Sequence, residues 1–567
     1  MTMKHTRPEG MFAAEALLGH MKAAGIDVLF ANGGTDFPSI IEAYARSAET
    51  GIAMPEPLVI PHEGVAVGMA HGYYLATGKP AAVMVHVNVG LANSVMGLIN
   101  AASENVPILM TSGRTPLTEA GRFGSRSSPI HWGQEMRDQA GMVREVVKWD
   151  YELRYAEQAG PAIDRALSIA MSEPRGPVYL SLPREALAEP AAAYGMETIY
   201  APTTYGPPAP ELVRQAAEKL AAAKNPVFIT QSPEVGDSFE PLAGFADRFA
   251  LPVVEFWATR QALPTSHPMN VGREPGPWLG DADVVVVANA MVPWIAGHVK
   301  LPEGCTVIAI GPEPQYRNLP MRGFPIHLSL AGGLNATISA LDQALSEIGI
   351  AEEVLAGRRD KAATFRAEAE AAAVKRVASG SGAPMSPAFV SRCLNEVAGP
   401  DAVFFNELGV DLSVMKFEKP GSYFTTPLSG GLGWGLTAAL GAQLGNRNRQ
   451  VIATIGDGSY MFANPVACHQ VAAALKLPLL TVVFNNGIWN AVRRSTLYMY
   501  PEGNAAKANV MPITALDPAP DYAAVARAHG AHAERVETGK DLPAAIERAL
   551  QVTRSGRQAM LEVMVSY

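Results

Sequence analysis

Val451-Ile-Ala-Thr-Ile-Gly456-Asp457-Gly458-Ser459 is an apolar, β-branched run that empties into an aspartate flanked by glycines. A run of this kind, with no polar alternation, predicts a strand buried on both faces, the habit of parallel sheets covered by helices. A second run, Leu479-Leu-Thr-Val-Val-Phe484, ends in Asn485-Asn486-Gly487, and Asp457 and Asn486 lie 29 residues apart. That interval fits strand, helix and strand. Both side chains are therefore expected at the carboxyl edge of one sheet, where open α/β sheets bind their ligands.

Working outward, runs such as Val284-Val-Val-Val-Ala288 and Val403-Phe-Phe-Asn406 alternate with Ala-rich helical stretches along the whole chain. The pattern predicts an α/β protein of parallel sheets flanked by helices. At 567 residues the chain has room for several folding units, since domains run to roughly 100–200 residues each. Three are expected, at residues 1–188, 189–350 and 386–567. Glu189 to Pro210, rich in Ala, Pro and Gly, reads as a first linker, and residues 351–385 read as a charged helix with a Ser-Gly joint. Ser386 and Pro387 have the residue types of an N-cap and a first helical position. Pro80 to Ser103 is uncharged but punctuated by Gly90, Asn93 and Asn100, and reads as a buried strand, a turn and a helix start rather than a membrane span.

Lys plus Arg (45) against Asp plus Glu (54) leaves a net charge of −9, with no long basic run. Nucleic acid and membrane are not expected partners. The three cysteines, Cys305, Cys393 and Cys468, are far apart and lack zinc spacing, and no apolar leader follows Met1. The cytoplasm is the expected compartment.

A carboxylate, an amide oxygen, a main-chain carbonyl and water form an all-oxygen set suited to Mg²⁺, with Ca²⁺ as a substitute. Such an ion calls for diphosphate oxygens, and Gly456, Gly458 and Gly487 are expected to let main-chain amides approach them. Glu63 is the only acid between Glu56 and Glu104, and it opens an apolar, small-residue helix. A glutamate there complements the helix dipole or, among apolar neighbours, acts as an acid or base.

Asp457 with Asn486, together with His62-Glu63-Gly64-Val65-Ala66-Val67-Gly68 and the Gly72-Tyr73 and Thr77-Gly78-Lys79-Pro80 that follow, resembles the thiamin-diphosphate superfamily of acetolactate synthase, benzoylformate decarboxylase and pyruvate decarboxylase. The resemblance covers nearly the whole chain. It implies Asp457, Asn486 and the carbonyl of Ile488 as Mg²⁺ ligands, Glu63 as the glutamate that activates thiamin diphosphate, and Ser459 among its contacts. Leu428-Ser-Gly430-Gly431-Leu432-Gly433 is similar to the loop that bends the cofactor, with Leu432 between the rings and the Gly430 carbonyl on the amino group. Asn406-Glu407-Leu408-Gly409-Val410 aligns with a diphosphate loop, where main-chain contacts of Gly409 and Val410 have to serve.

The resemblance further implies a 2-oxo acid decarboxylase or carboligase, in which an enamine is protonated or passed to an acceptor aldehyde or ketone. His86 and Thr35 stand at positions similar to the histidine and serine of benzoylformate decarboxylase, although His86 is equally readable as a core residue. The second histidine of that enzyme is missing at Ala296, and His298 replaces it only through a local shift. Arg114 either holds an acidic substrate or pairs with a nearby acid. No dinucleotide fingerprint is visible, so FAD is not expected. The alternatives are a flavin-assisted enzyme of the pyruvate oxidase kind and a cofactor-binding protein without turnover. A shared site, Glu63 of one chain serving the Asp457 loop of another, implies a homodimer at least and a homotetramer as the expected assembly.

Overall fold

The computed structural model describes residues 10–191, 201–232, 235 and 239–567. The N-terminal segment and residues 192–200 of the expected first linker lie outside the described residues. Among the described residues there are three sheets. The first holds β1 (Val28–Ala31), β2 (Glu56–Val59), β3 (Ala81–Val85), β4 (Ile108–Arg114), β5 (Asp150–Glu152) and β6 (Val178–Pro183), in the order β2-β1-β3-β4-β6-β5. The second holds β7 (Pro226–Thr230), β8 (Val253–Val254), β9 (Val284–Ala288), β10 (Thr306–Gly311) and β11 (Leu328–Ala331), in the order β11-β10-β9-β7-β8. The third holds β12 (Val403–Glu407), β13 (Tyr423–Thr425), β14 (Val451–Gly456), β15 (Leu480–Asn485), β16 (His532–Val536) and β17 (Ala559–Met564), in the order β13-β12-β14-β15-β17-β16. The strand pairs are parallel throughout.

β5, β13 and β16 were not expected from the sequence. Each is a sheet edge, and Asp150-Tyr-Glu152 or His532-Ala-Glu-Arg-Val536 carries the polar residues that an edge tolerates. Edge strands lose the continuous apolar signal of a central parallel strand.

One compact unit comprises Met1–Thr203, Pro427–Arg447 and Ala463–Leu477. In it, the helix Glu63–Thr77 is capped by the His62 ring, which accepts from the Gly64 amide, and ends at Gly78 with φ of 70°. Gly68 and Gly72 are one helical turn apart on the face that meets the helix Trp434–Gly445. A Cβ at Gly68 would sit 2.0 Å from Thr437 Oγ1, and one at Gly72 would sit 1.8 Å from the Ala438 carbonyl oxygen. From the other side, a Cβ at Gly441 would sit 1.9 Å from the Met69 carbonyl oxygen. Glycines that weaken an isolated helix here allow backbone-to-backbone packing.

The helix Val87–Ser103 follows β3 directly. Gly90, Asn93 and Asn100 lie on it and do not interrupt it, so the turn expected between strand and helix reduces to His86 and Val87.

The second unit comprises Thr204–Thr426, Asn448–Phe462 and Pro478–Tyr567, and holds the second and third sheets. Ser386 Oγ accepts from the Phe389 amide at 3.1 Å, and Pro387 opens the helix Pro387–Ala398. The interval between β14 and β15 contains two helices, Asp457–Phe462 and Pro465–Ala474, in place of the single one expected. Asn464, at φ of 54°, and Pro465 at the first helical position break them apart.

Candidate active site

In all three sheets the strand order reverses beside the first strand: between β1 and β3, between β7 and β9, and between β12 and β14. Such switch points open a crevice at the carboxyl ends of the strands. The sequence-predicted residues cluster at the switch points of the first and third sheets.

In the first unit, Glu63 Oε2 accepts from Asn93 Nδ2 at 3.1 Å. Gly90 lies next to it: a Cβ there would be 3.4 Å from Glu63 Oε1 and 3.0 Å from the Val85 Cβ. His86, at the end of β3, has Nδ1 2.5 Å from Asp36 Oδ1. The other Asp36 oxygen accepts from the Val87 amide at 3.1 Å, and His86 Nε2 is 3.0 Å from Gln134 Nε2. The hydrogen bond to Asp36 raises the His86 imidazolium above its usual range, burial opposing and the charges of Asp36 and Glu63 adding to it. Asn100 grips the loop before Trp434. Its Nδ2 donates to the Gly431 carbonyl at 2.9 Å, and its Oδ1 accepts from the Gly431 amide at 3.1 Å and from Ser429 Oγ at 2.7 Å. In this loop Gly430 is exposed, with φ of 71°, and Leu432 is half-buried.

In the second unit, β14 and β15 run side by side, with Gly456 opposite Phe484. Asp457 and the Asn485-Asn486-Gly487 turn therefore leave the sheet together. Asp457 Oδ2 accepts from the Gly487 amide at 2.7 Å, and Oδ1 from the Gly458 amide at 2.9 Å. Only 2% of Asp457 is exposed, and burial pushes its carboxyl above the ordinary range. Main-chain amides, not cations, supply its hydrogen bonds, so a buried negative charge stands ready for a hard cation. Asn486 Oδ1 accepts from the Ile488 amide at 3.1 Å, and the Ile488 carbonyl from the Asn490 amide at 2.9 Å. Each of those oxygens retains a second lone pair. The set Asp457, Asn486 and Ile488 thus fits one oxygen-preferring ion. Among the described residues no three His, Cys, Asp or Glu side chains gather to form any other kind of metal site.

Two expectations change. Gly458 is glycine for packing, since a Cβ there would lie 2.2 Å from the Trp489 ring. Gly487 is glycine for its turn, at φ of 72°, and Gly456 has only ordinary contacts. The amides of Gly409 and Val410, expected to face a diphosphate, donate to Asn406 Oδ1 at 3.2 and 3.0 Å. Leu408, at φ of 57°, turns the chain between them and the strand. Ser459 is buried in the first turn after Asp457.

Of the remaining residues, Arg114 is buried and shared between Glu135 at 2.7 Å and Glu152 at 3.1 Å. It also donates to the Met136 carbonyl at 2.7 Å. Pairing with acids, not reception of a substrate, is what its geometry shows. Thr35 is exposed, its carbonyl accepting from Arg184. His298 is exposed on the second unit, Nε2 2.9 Å from the Tyr498 hydroxyl. Asp36, Asn93, Asn100, Gln134 and Asn406 were missed. A signal existed for two of them: Gly90, Asn93, Gly97 and Asn100 are spaced three, four and three apart, one face of a helix.

The N-terminal thiamine pyrophosphate-binding domain of thiamine pyrophosphate enzymes matches residues 11–142, and the C-terminal binding domain of the same enzymes matches residues 410–563. The chain is 30% identical to benzoylformate decarboxylase of Pseudomonas aeruginosa over 512 residues, 87% of this chain and 89% of that one. It is 27% identical to the acetolactate synthase large subunit of Mycobacterium tuberculosis over 570 residues, 98% and 96% of the two chains. Its fold superposes on the thiamine diphosphate-dependent 4-hydroxybenzoylformate decarboxylase of Rhodococcus jostii with a TM-score of 0.78, covering 98% and 99% of the chains at 23% identity. The first match contains β1, β3 and Glu63, the second contains β14, Asp457 and Asn486, and the chain is an enzyme of the thiamine pyrophosphate family.

Proposed function

We propose that this enzyme decarboxylates a small 2-oxo acid with thiamin diphosphate and Mg²⁺, releasing an aldehyde or passing the acyl unit to an acceptor carbonyl. The observation that carries the reading is Glu63. Its carboxylate is held by Asn93 at the start of an apolar helix, with the bare backbone of Gly90 beside it.

When bound, thiamin diphosphate supplies a carbon nucleophile and stores the electron pair left behind by CO₂. Asp457, Asn486 and the Ile488 carbonyl would hold Mg²⁺, and through it the diphosphate. Leu432 and the Gly430 carbonyl would hold the rings. Glu63 would exchange a proton with the cofactor's aminopyrimidine nitrogen, its orientation set by Asn93. His86 Nε2, with Thr35 nearby in sequence to Asp36, would carry the proton that replaces CO₂ on the product carbon. Support for decarboxylation comes from His86, placed at the sheet switch with a raised imidazolium. Arg114 is not assigned to the substrate, because Glu135 and Glu152 engage it; His298 is kept as a candidate on the product side.

The site is proposed to be shared, Glu63 of one chain serving the cofactor on Asp457 of a second, in a homodimer or homotetramer. Among the described residues no helix is long and apolar enough to cross a membrane, and the three cysteines are free, which supports a cytoplasmic enzyme.

A panel of aliphatic, branched and aromatic 2-oxo acids, read by CO₂ release and mass detection of the product, tests the proposal. Glu63→Gln should lower turnover by orders of magnitude while thiamin diphosphate and Mg²⁺ still bind. An inert wild type across the panel, or a Glu63→Gln variant with full turnover, refutes it.

A further inference from the structure

The switch point of the first sheet contains a constellation that the reaction above does not by itself require. Asp36, on the loop after β1, uses both carboxylate oxygens: one meets His86 Nδ1 at 2.5 Å and the other the Val87 amide at 3.1 Å. Its side chain is 3% exposed and that of His86 18%. Two glycines make room for the pair. A Cβ at Gly34 would fall 2.2 Å from His86 Nδ1, and one at Gly113 would fall 1.7 Å from Asp36 Oδ2. Val87, a β-branched residue, is held at φ of 33°, a conformation such residues rarely adopt and one that clusters at functional sites.

On the opposite edge of the ring, Gln134 Nε2 faces His86 Nε2 at 3.0 Å. Gln134 is 9% exposed, and its Oε1 is buried without a hydrogen-bond partner among the described residues. An amide in that position serves both charge states of the imidazole. Its NH₂ donates to Nε2 when the ring is neutral, and after a half-turn its oxygen accepts from Nε2–H when the ring is charged.

We propose that Asp36 is a positioning residue that fixes His86 as the Nδ1–H tautomer and reserves Nε2, under the Gln134 amide, as the atom that gains and loses a proton. The change consists of that proton arriving at or leaving Nε2, accompanied by the half-turn of the Gln134 amide. That the exchanged proton serves turnover rests on the function proposed above; the state of the ring does not. The other charged groups acting on the pair are Glu63 on His86, Arg184 on Asp36, and His131, which His86 disfavours in its charged form.

The test is nitrogen NMR of histidine-labelled protein without cofactor, with His86→Asn assigning the signal. In the wild type, the neutral ring should carry its proton on Nδ1. Asp36→Asn keeps the shape but removes the charge, and its single amide oxygen cannot accept from both His86 Nδ1 and the Val87 amide, so the Nδ1–H preference should weaken or reverse while the His86 pKa falls by about 1–2 units, the size of a lost adjacent charge. Asp36→Ala should lose the tautomer preference as well. A wild-type proton on Nε2, or a pKa unmoved in a folded Asp36→Asn protein, overturns the inference. Its companion is the pH profile of kcat. A limb that shifts with the NMR pKa joins the ring to turnover. A profile that stays fixed while the NMR value moves leaves the tautomer assignment standing and removes His86 from the proposed reaction.

Discussion

Gly72→Ala is the substitution in which the structure makes the sharpest quantitative claim. The added carbon would lie 1.8 Å from the Ala438 oxygen, 2.4 Å from its carbon and 2.6 Å from its Cα. All three atoms are main chain inside the helix Trp434–Gly445, so no side chain can swing away. The two helix axes have to part by about 1.5 Å, more than a close-packed interior absorbs without loss. Overpacking of this kind costs about 1–3 kcal/mol, and a rigid backbone on both sides puts the case at or above the top of that range. Against it stands a gain of about 0.5–1 kcal/mol from removing a helical glycine, leaving a net loss of about 2 kcal/mol or more. Gly357→Ala supplies the control: that glycine lies in the helix Glu352–Ala378 with nothing within 4 Å of its added carbon, so only the gain should appear. Because the chain has two compact units, hydrogen exchange read peptide by peptide is a better assay than one melting temperature. Peptides from residues 63–77 and 434–445 should exchange at least tenfold faster in Gly72→Ala and unchanged in Gly357→Ala. Equal protection of both helices in Gly72→Ala would refute the close-packing argument.

Two further outcomes follow from the site. Asn100→Ala removes three hydrogen bonds and strands the amide and carbonyl of Gly431, a loss of about 2–3 kcal/mol. It should show as weaker thiamin diphosphate binding in calorimetry, with kcat at saturating cofactor much less affected. For Asp457, burial holds the folded carboxyl above the ordinary aspartate value of 3.8. Metal-free protein therefore gains stability as pH falls through that raised value toward 3.8, and loses it as pH rises, the reverse of a salt-bridged aspartate. Mg²⁺ competes with the same proton, so its affinity should weaken as pH falls, and Asp457→Asn should abolish both the pH dependence and most of the affinity, measured by titration calorimetry.

The central strands were legible because parallel strands covered by helices are uniformly apolar: β9 is Val-Val-Val-Val-Ala, every residue buried. β14 with Asp457 was legible for the same reason, since the aspartate is the first charged residue after five buried ones and Gly456. The edge strands β5, β13 and β16 were not, being only three residues long or carrying His532, Glu534 and Arg535. The candidate site divides along a similar line. Asp457, Asn486 and Glu63 stand at element ends, where a polar residue breaks an apolar run and is visible as a break. Asp36 and Gln134 lie in irregular segments, 50 and 48 residues from His86 in sequence. Nothing local distinguishes them from other loop polars; only the fold of the sheet brings them together. Gly34 and Gly113 were equally opaque, since a glycine that leaves room for a distant side chain looks the same as one that makes a turn.

The helix Val87–Ser103 shows why punctuation residues mislead inside a buried helix. In an isolated peptide Gly90, Asn93, Gly97 and Asn100 would weaken the helix. In the folded unit each has a fixed neighbour on a single face. Gly90 lies against Glu63, and Asn93 bonds its carboxylate. Gly97 admits Val67, whose Cγ1 would stand 2.6 Å from an added Cβ, and Asn100 holds Gly431. His86 precedes the same helix and is anchored, through Asp36, at its first residue. One rigid element thus fixes the carboxylate, the imidazole and the loop before Trp434 relative to one another. Preorganisation of this kind keeps catalytic groups at working geometry without paying for order at each turnover. The residues that look like helix breakers are the ones through which the helix does its positioning, and the apolar remainder serves to bury it.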